Sequence, residues 1–265
     1  MAAKLICFLL LLTVAGGSFS QKSKKFKKAP PGTVQVNDTL FVDKTEVANV
    51  HWREYIFYLQ GHDSTSVEKA LPDTSVWLPD TSTNSLESYY FRHPGFNSYP
   101  IVGISYEQAV QFCKWRTDRV NEYYSKIPEE KRPFKKVTYR LPTKKEWESI
   151  AEGSFSIKQF PYGYDSAFKK WKRRYVHNFN CVYPGESKKS VTSDKYYTSP
   201  VGSYFKNSSG TYCMIGNLAE MVAEKGIAKG GSFEHYLEEC KIINDQNYTN
   251  PERWLGFRCV AVIIK

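Results

Sequence analysis

The sequence lacks most of the short signatures that announce an enzyme. It has no glycine-rich phosphate loop, no dinucleotide glycine fingerprint and no zincin helix, which argues against the NTPase, nicotinamide and zinc-protease classes. No Gly-x-Ser-x-Gly elbow appears, so an α/β-hydrolase nucleophile is not expected. The five histidines are scattered and do not support a histidine-rich metal cage. Beyond the first residues no stretch is apolar enough to cross a membrane. Acidic residues are also in deficit, 27 against 37 basic ones, for a formal net charge of +10. Outside a cell such an excess favours adhesion to anionic surfaces: acidic polysaccharide, lipid headgroups or wall polymer. No nucleic-acid reading motif is recognised, and nucleic acid is not an expected partner.

What is present begins with an export signal. Met1-Ala2-Ala3-Lys4 precedes an apolar run over residues 5–15 and the small residues Gly16, Gly17, Ser18 and Ser20. This pattern predicts a signal peptide over residues 1–20, with Gln21 as the new N-terminus. The run is too short to span a bilayer, and Cys7 lies inside it rather than at its end, against a bacterial lipid-anchor site. The remaining chain of about 245 residues suits one large domain. Its five cysteines, Cys113, Cys181, Cys213, Cys240 and Cys259, enter an oxidising compartment where disulfides form. An odd count leaves at least one thiol unpaired, or paired with another chain.

Residues 21–32 are lysine-rich, end Ala29-Pro30-Pro31-Gly32, and read as a disordered basic lead-in. Val34 and Val36, the turn Asn37-Asp38, and Leu40, Phe41 and Val42 predict a hairpin. Ala48, Trp52, Tyr55, Ile56 and Leu59 share one helical face, with Gly61 as the stop. Residues 62–99, rich in Ser, Thr, Pro and Asp, read as a surface insertion pinned by Trp77, Tyr89, Tyr90 and Phe91. Ser105-Tyr106-Glu107-Gln108 and Thr143-Lys144-Lys145-Glu146 are capping boxes. The first opens a helix with Ala109, Phe112, Cys113 and Val120 inward and Lys114, Arg116 and Arg119 outward. The second follows a short strand, Val137-Thr138-Tyr139-Arg140, and turns Trp147 and Ile150 inward. Residues 160–212 read as loop, with a basic aromatic segment over 168–175 that is either a solvated face or a site for an anionic polymer. An apolar strand closes the chain over 257–264.

Taken in order, these segments resemble the formylglycine-generating enzyme, or sulfatase-modifying factor, family. The matching pieces are Asp43-Lys44-Thr45-Glu46-Val47-Ala48-Asn49, Tyr99-Pro100-Ile101-Val102-Gly103-Ile104-Ser105, Phe112-Cys113-Lys114-Trp115, Tyr139-Arg140-Leu141-Pro142-Thr143-Lys144-Lys145-Glu146-Trp147-Glu148, Phe160-Pro161-Tyr162-Gly163, Gly216-Asn217-Leu218-Ala219-Glu220, Lys229-Gly230-Gly231-Ser232-Phe233 and Leu255-Gly256-Phe257-Arg258-Cys259. The resemblance implies one α+β domain over 33–265, related to the C-type lectin fold, with much irregular backbone. It also implies a disulfide between Cys113 and Cys259. The insertion, with Tyr89-Tyr90-Phe91-Arg92-His93-Pro94 and Phe112-Cys113-Lys114-Trp115-Arg116-Thr117, is similar to the gliding-motility lipoprotein branch, whose members are regarded as structural. This chain departs from that branch in its short length and in lacking a lipid-anchor cysteine.

Members of the family with enzymatic activity oxidise a substrate cysteine, using two cysteines five residues apart that hold one copper ion. Soft thiolates favour Cu(I). Laid on this chain, the second cysteine falls on Cys240 and the first on His235, so one thiolate is missing. Ser232 matches a serine near the copper. Tryptophans usual in the family are replaced by Ala219 and Met221. The resemblance also implies a calcium site from the side chains of Asn178 and Asp194 with carbonyls of Phe179 and Tyr196. A second would use Glu220 and carbonyls of Gly216 and Leu218, but its asparagine position is Cys213. The leading expectation is an exported, non-catalytic member acting as a binding or structural part of a bacterial cell-envelope assembly, in the periplasm or at the cell surface. The alternatives are a copper-dependent cysteine oxidase, with Cys240 and His235 as ligands, and a glycan-binding module.

Overall fold

The computed structural model describes residues 29–79, 85–185 and 197–264. The signal over 1–20, most of the lead-in, and the two expected calcium ligands Asp194 and Tyr196 lie outside them. Ala29 packs on the core and Pro30 is buried, so the fold begins a few residues before Thr33.

The apolar closing segment becomes strand β10 (Val260–Ile264), one of the two inner strands of a four-stranded sheet. Its neighbours are β2 (Leu40–Asp43) and β3 (Lys136–Arg140), with β1 (Thr33–Gln35) outside β2, all antiparallel. The expected hairpin is formed: the Asn37 side-chain oxygen accepts the Thr39 and Leu40 N–H groups at 3.0 and 2.9 Å, holding the turn without a glycine. Helices α1 (Asn49–His62) and α4 (Tyr106–Ser125) cover the sheet, separated in sequence by the single turns α2 (Val67–Ala70) and α3 (Leu86–Tyr89). Trp52 stacks on Phe112 at 5.3 Å and meets Phe257 edge-on at 6.1 Å, joining both helices to the last segment. Both capping boxes form as expected. At α4 the Gln108 N–H donates to Ser105 Oγ (3.2 Å) and the Ser105 N–H to Gln108 Oε1 (2.7 Å). Thr143 and Glu146 do the same at α5 (Lys144–Glu152).

Two expectations are corrected. Arg116 does not simply face water: it donates to both carboxylate oxygens of Asp43 at 2.6 and 2.8 Å, because β2 passes beside α4. The insertion is more than a surface loop. Trp77 and Tyr90 are fully buried and, with Val102, Leu218 and Phe233, make a third apolar cluster; Tyr89, expected as a pin, is exposed. The described residues within 160–212 are loop-rich as read, with a two-stranded hairpin of β4 (Phe168–Trp171) and β5 (Arg174–His177). A second sheet, β8-β7-β6-β9, carries β6 (Ala219–Met221), β7 (Ile227–Lys229), β8 (Asp245–Asn247) and β9 (Leu255–Gly256), with β6 and β9 parallel. The candidate site hangs from its β7 strand. Among the described residues no helix is long and apolar enough to cross a membrane.

Candidate functional site

Strand β7 ends on two glycines in left-handed backbone, Gly230 (φ 92°) and Gly231 (φ 67°). A side chain at Gly230 would strike the Met214 carbonyl oxygen at 2.4 Å, and one at Gly231 would strike Cys240 Sγ at 2.3 Å. Only glycine lets the chain turn here while Cys240 sits beneath it. Ser232 follows, fully buried. Its Oγ lies 2.7 Å from His235 Nδ1 and accepts the Glu234 N–H at 3.1 Å. The His235 ring meets Trp254 edge-on at 5.1 Å. These two rings, with Glu239, Asn244, Asp245 and Gln246, line an open cleft of about 420 Å³.

The structure therefore brings Ser232 and His235 together, as the family resemblance implies, but it sorts the two expected copper ligands differently. His235 is on the cleft wall. Cys240 is 0% exposed and is absent from that wall. Its sulfur contacts the Tyr236 carbonyl oxygen at 3.4 Å, and Cys181 packs against the same apolar cluster that holds Cys240. The neighbouring Cys181 thiol, with burial, raises the Cys240 thiol well above its ordinary pKa. Among the described residues no three His, Cys, Asp or Glu side chains converge as a metal cage. In donor chemistry the pair at hand that suits Cu(I) is Cys181 with Cys240, two soft sulfurs. Ala219 and Met221 are buried on β6 in the main core and do not line the cleft.

Cys113 and Cys259 face each other with sulfurs 3.5 Å apart, as two thiols in contact, where the family resemblance implies a bond. Cys213 is the odd thiol, buried, with its sulfur 3.8 Å from the Val201 carbonyl oxygen.

The second calcium site loses its side-chain ligand. Glu220 is fully buried, and its two oxygens accept from Arg258 Nη2 (2.5 Å) and Nε (2.6 Å), with Trp147 Nε1 adding a third bond at 2.8 Å. A carboxylate so engaged neutralises the guanidinium rather than a cation. Gly216 remains a packing glycine: a Cβ there would meet the Asn180 carbonyl at 2.5 Å. Leu218 is core. Beside this pair stands Glu46, whose Oε1 accepts from Asn217 at 2.7 Å while Oε2 is buried without a hydrogen bond. Burial pushes the Glu46 pKa up to about 8 against the pull of Arg258, so this carboxyl is neutral in neutral solution. At the other calcium site Asn178 donates to the Ser166 carbonyl at 3.3 Å, and its Oδ1 is buried without a partner, a free oxygen that suits a hard cation. Phe179 is buried beside it.

Three features escape sequence reasoning. Cys181 beside Cys240 is one; the odd cysteine count was its only sequence signal. The second is the triad of Glu46, Glu220 and Arg258. The third is Lys229, fully buried, with its ammonium paired to Glu148 at 2.8 Å and Asp245 at 2.9 Å.

The family model described as sulfatase-modifying factor enzyme 1-like domain matches residues 10–263. The chain is 23% identical to the formylglycine-generating enzyme of Bos taurus over 92% of its own length and 71% of that protein's. It is 24% identical to the inactive C-alpha-formylglycine-generating enzyme 2 of Bos taurus, over 56% of this chain and 41% of that one. Among solved structures, CarF superposes with a TM-score of 0.54 at 19% identity, covering 88% of this chain and 96% of its own. Treponema denticola variable protein 1 does so with 0.53 at 15%, covering 89% and 92%. At these identities the structural likeness is one of fold.

Proposed function

Because the chain belongs to the family of sulfatase-modifying factor enzyme 1-like domains, we propose that it is an exported, non-catalytic member, serving as a structural or binding component of a bacterial cell-envelope assembly of the gliding or secretion type. One observation carries this reading. The position of the family's first copper cysteine is His235, held by Ser232 on the cleft wall, while the remaining cysteine is sealed beneath Gly231. A dioxygen-activating dyad needs two thiolates that solvent and substrate can reach; the cleft presents an imidazole and an indole instead. The described residues of the insertion and the exposed hairpin of β4 and β5 offer surface for a partner. Trp171 is 56% and Tyr175 75% exposed, among Lys169, Lys170, Lys172, Arg173 and Arg174, a charge and ring pattern suited to an anionic protein or polymer.

The second reading, a copper-dependent oxidase of a protein cysteine, draws on Cys181, which packs against the cluster that holds Cys240. In that reading the two sulfurs would hold the copper, which supplies the oxidising chemistry, and the cleft along His235 and Trp254 would seat the substrate peptide. The two readings separate on product. The reduced protein, loaded with Cu(I) and given a cysteine peptide in air, is expected to yield no formylglycine peptide by mass spectrometry. Formylglycine produced by the wild type and lost in Cys240→Ser would sink the non-catalytic reading. Crosslinking in envelope extracts tests the partner: recovery of one envelope protein that is lost when Trp171, Arg173 and Arg174 are replaced by alanine is the expected result.

A further inference from the structure

We propose that Cys181 and Cys240 are a disulfide-forming pair that clamps the loop after β5 to the loop after β7. The proposal goes beyond the functional reading above and does not depend on it.

The backbone already holds the two segments together. Val182 and Tyr236 form a parallel bridge: the Val182 N–H donates to the His235 carbonyl at 2.9 Å, and the Leu237 N–H donates to the Val182 carbonyl at 2.8 Å. Cys181 precedes the bridged residue in one strand of this short ladder, and Cys240 lies one turn beyond it in the other, on the 3-10 turn Leu237–Cys240. Both side chains pack into the second apolar cluster, Cys240 as a buried member and Cys181 against it. A neutral disulfide also suits the apolar surroundings of Phe179, Ile242 and Met214 better than a buried thiolate–metal complex with net charge.

Cysteine arithmetic points the same way. Cys113 and Cys259 contact each other, and Cys213 is sealed apart against Val201. This leaves Cys181 and Cys240 as the second pair.

Exposure sets the order of events. Cys181 is half-buried and Cys240 fully buried, so Cys181 meets the oxidant. The oxidant is a disulfide-bearing donor, a small molecule or a dithiol oxidase. The Cys181 thiolate attacks one donor sulfur, forming a mixed disulfide and releasing the other donor sulfur as a thiol, which keeps the proton Cys181 lost. Cys240 then attacks the Cys181 sulfur and displaces the second donor thiolate, which takes up the Cys240 proton. Two hydrogens leave the protein, and the donor is reduced to two thiols. The product ties down the segment that carries Ser232 and His235 and removes Cys240 from any metal chemistry.

The test uses the whole wild-type chain, equilibrated across a glutathione redox series, quenched by alkylation and digested without reduction. The expected result is a peptide joining Cys181 to Cys240, abolished by reductant, with both residues changing state in one transition and Cys213 unlinked throughout. In Cys181→Ser, Cys240 is expected to go from unlabelled to fully alkylated in denatured, unreduced protein. Full alkylation of Cys240 in the oxidised, denatured wild type would overturn the proposal, as would a linkage of Cys240 to Cys213 or to a second chain. The wild-type peptide map decides the matter even if the variant does not fold.

Discussion

The protein holds two thiol pairs, one fully buried and one with a half-buried member, and their surroundings differ. Cys113 and Cys259 join α4 to the segment between β9 and β10, regular elements locked by buried charge. Asp43 Oδ2 accepts the Cys259 N–H at 3.0 Å and also pairs with Arg116, and Arg258 next door is neutralised by Glu220. Cys181 and Cys240 join two irregular loops held by a two-bond ladder and a glycine turn. The first pair sits in a scaffold that would keep its geometry without the sulfurs. In the second, the sulfurs are a large share of what fixes the geometry. Function-bearing loops are commonly held in the second way, because their backbone lacks a sheet or helix to order it.

Four measurements break or sharpen that contrast. In protein oxidised to completion, replacing Cys259 by Ser is expected to cost about 5 kcal/mol and replacing Cys181 by Ser about 4 kcal/mol, from the loop lengths alone in the chain-entropy model. Urea unfolding with and without reductant checks both, and equal midpoints in the two conditions would show that neither bond contributes. Arg258→Met leaves Glu220 buried without its counter-charge and is expected to cost about 3–5 kcal/mol under either redox condition. Gly231→Ala forces a methyl group against Cys240 Sγ in left-handed backbone, with an expected cost of about 2 kcal/mol. It should also slow formation of the Cys181–Cys240 bond while leaving Cys113–Cys259 untouched, which differential alkylation reads directly.

The remaining effect is one of pH. The Glu46 pKa is raised to about 8 in the fold, from 4.5 as its ordinary value. Between those values the unfolded chain loses a proton that the folded chain keeps, so stability falls as pH rises through this window. The slope is at most about 1.4 kcal/mol per pH unit from this group. Glu46→Gln is expected to flatten that part of the profile. An unchanged slope in the variant would show that the Glu46 carboxyl, beside Glu220 and Arg258, is ionised throughout.

Much of the fold was legible in the sequence where the signal was local. The capping boxes at Ser105 and Thr143, the face of α1 through Trp52, Tyr55, Ile56 and Leu59, and the apolar β10 all rest on spacings of a few residues, and each formed. The roles of polar residues were less legible. Glu220 matched a calcium ligand by position, yet Arg258 takes its oxygens. Arg116 reads as solvent-facing on a helical wheel, but β2 brings Asp43 beside it. Tyr89 and Tyr90 are adjacent and chemically alike, and only the packing of the insertion decides that Tyr90 is buried and Tyr89 exposed.

The site divides in the same way. The sequence by itself determined that a histidine stands where the family pattern has a cysteine, that Ser232 follows two glycines, and that five cysteines after residue 20 cannot all pair within one chain. The resemblance paired Cys113 with Cys259, but tertiary structure alone decided that Cys181, and not Cys213, stands near Cys240. Cys181 and Cys240 are far apart along the chain and lie in loops without periodicity. Their meeting depends on a backbone bridge and a pair of left-handed glycines, and no local pattern encodes a contact between two such loops.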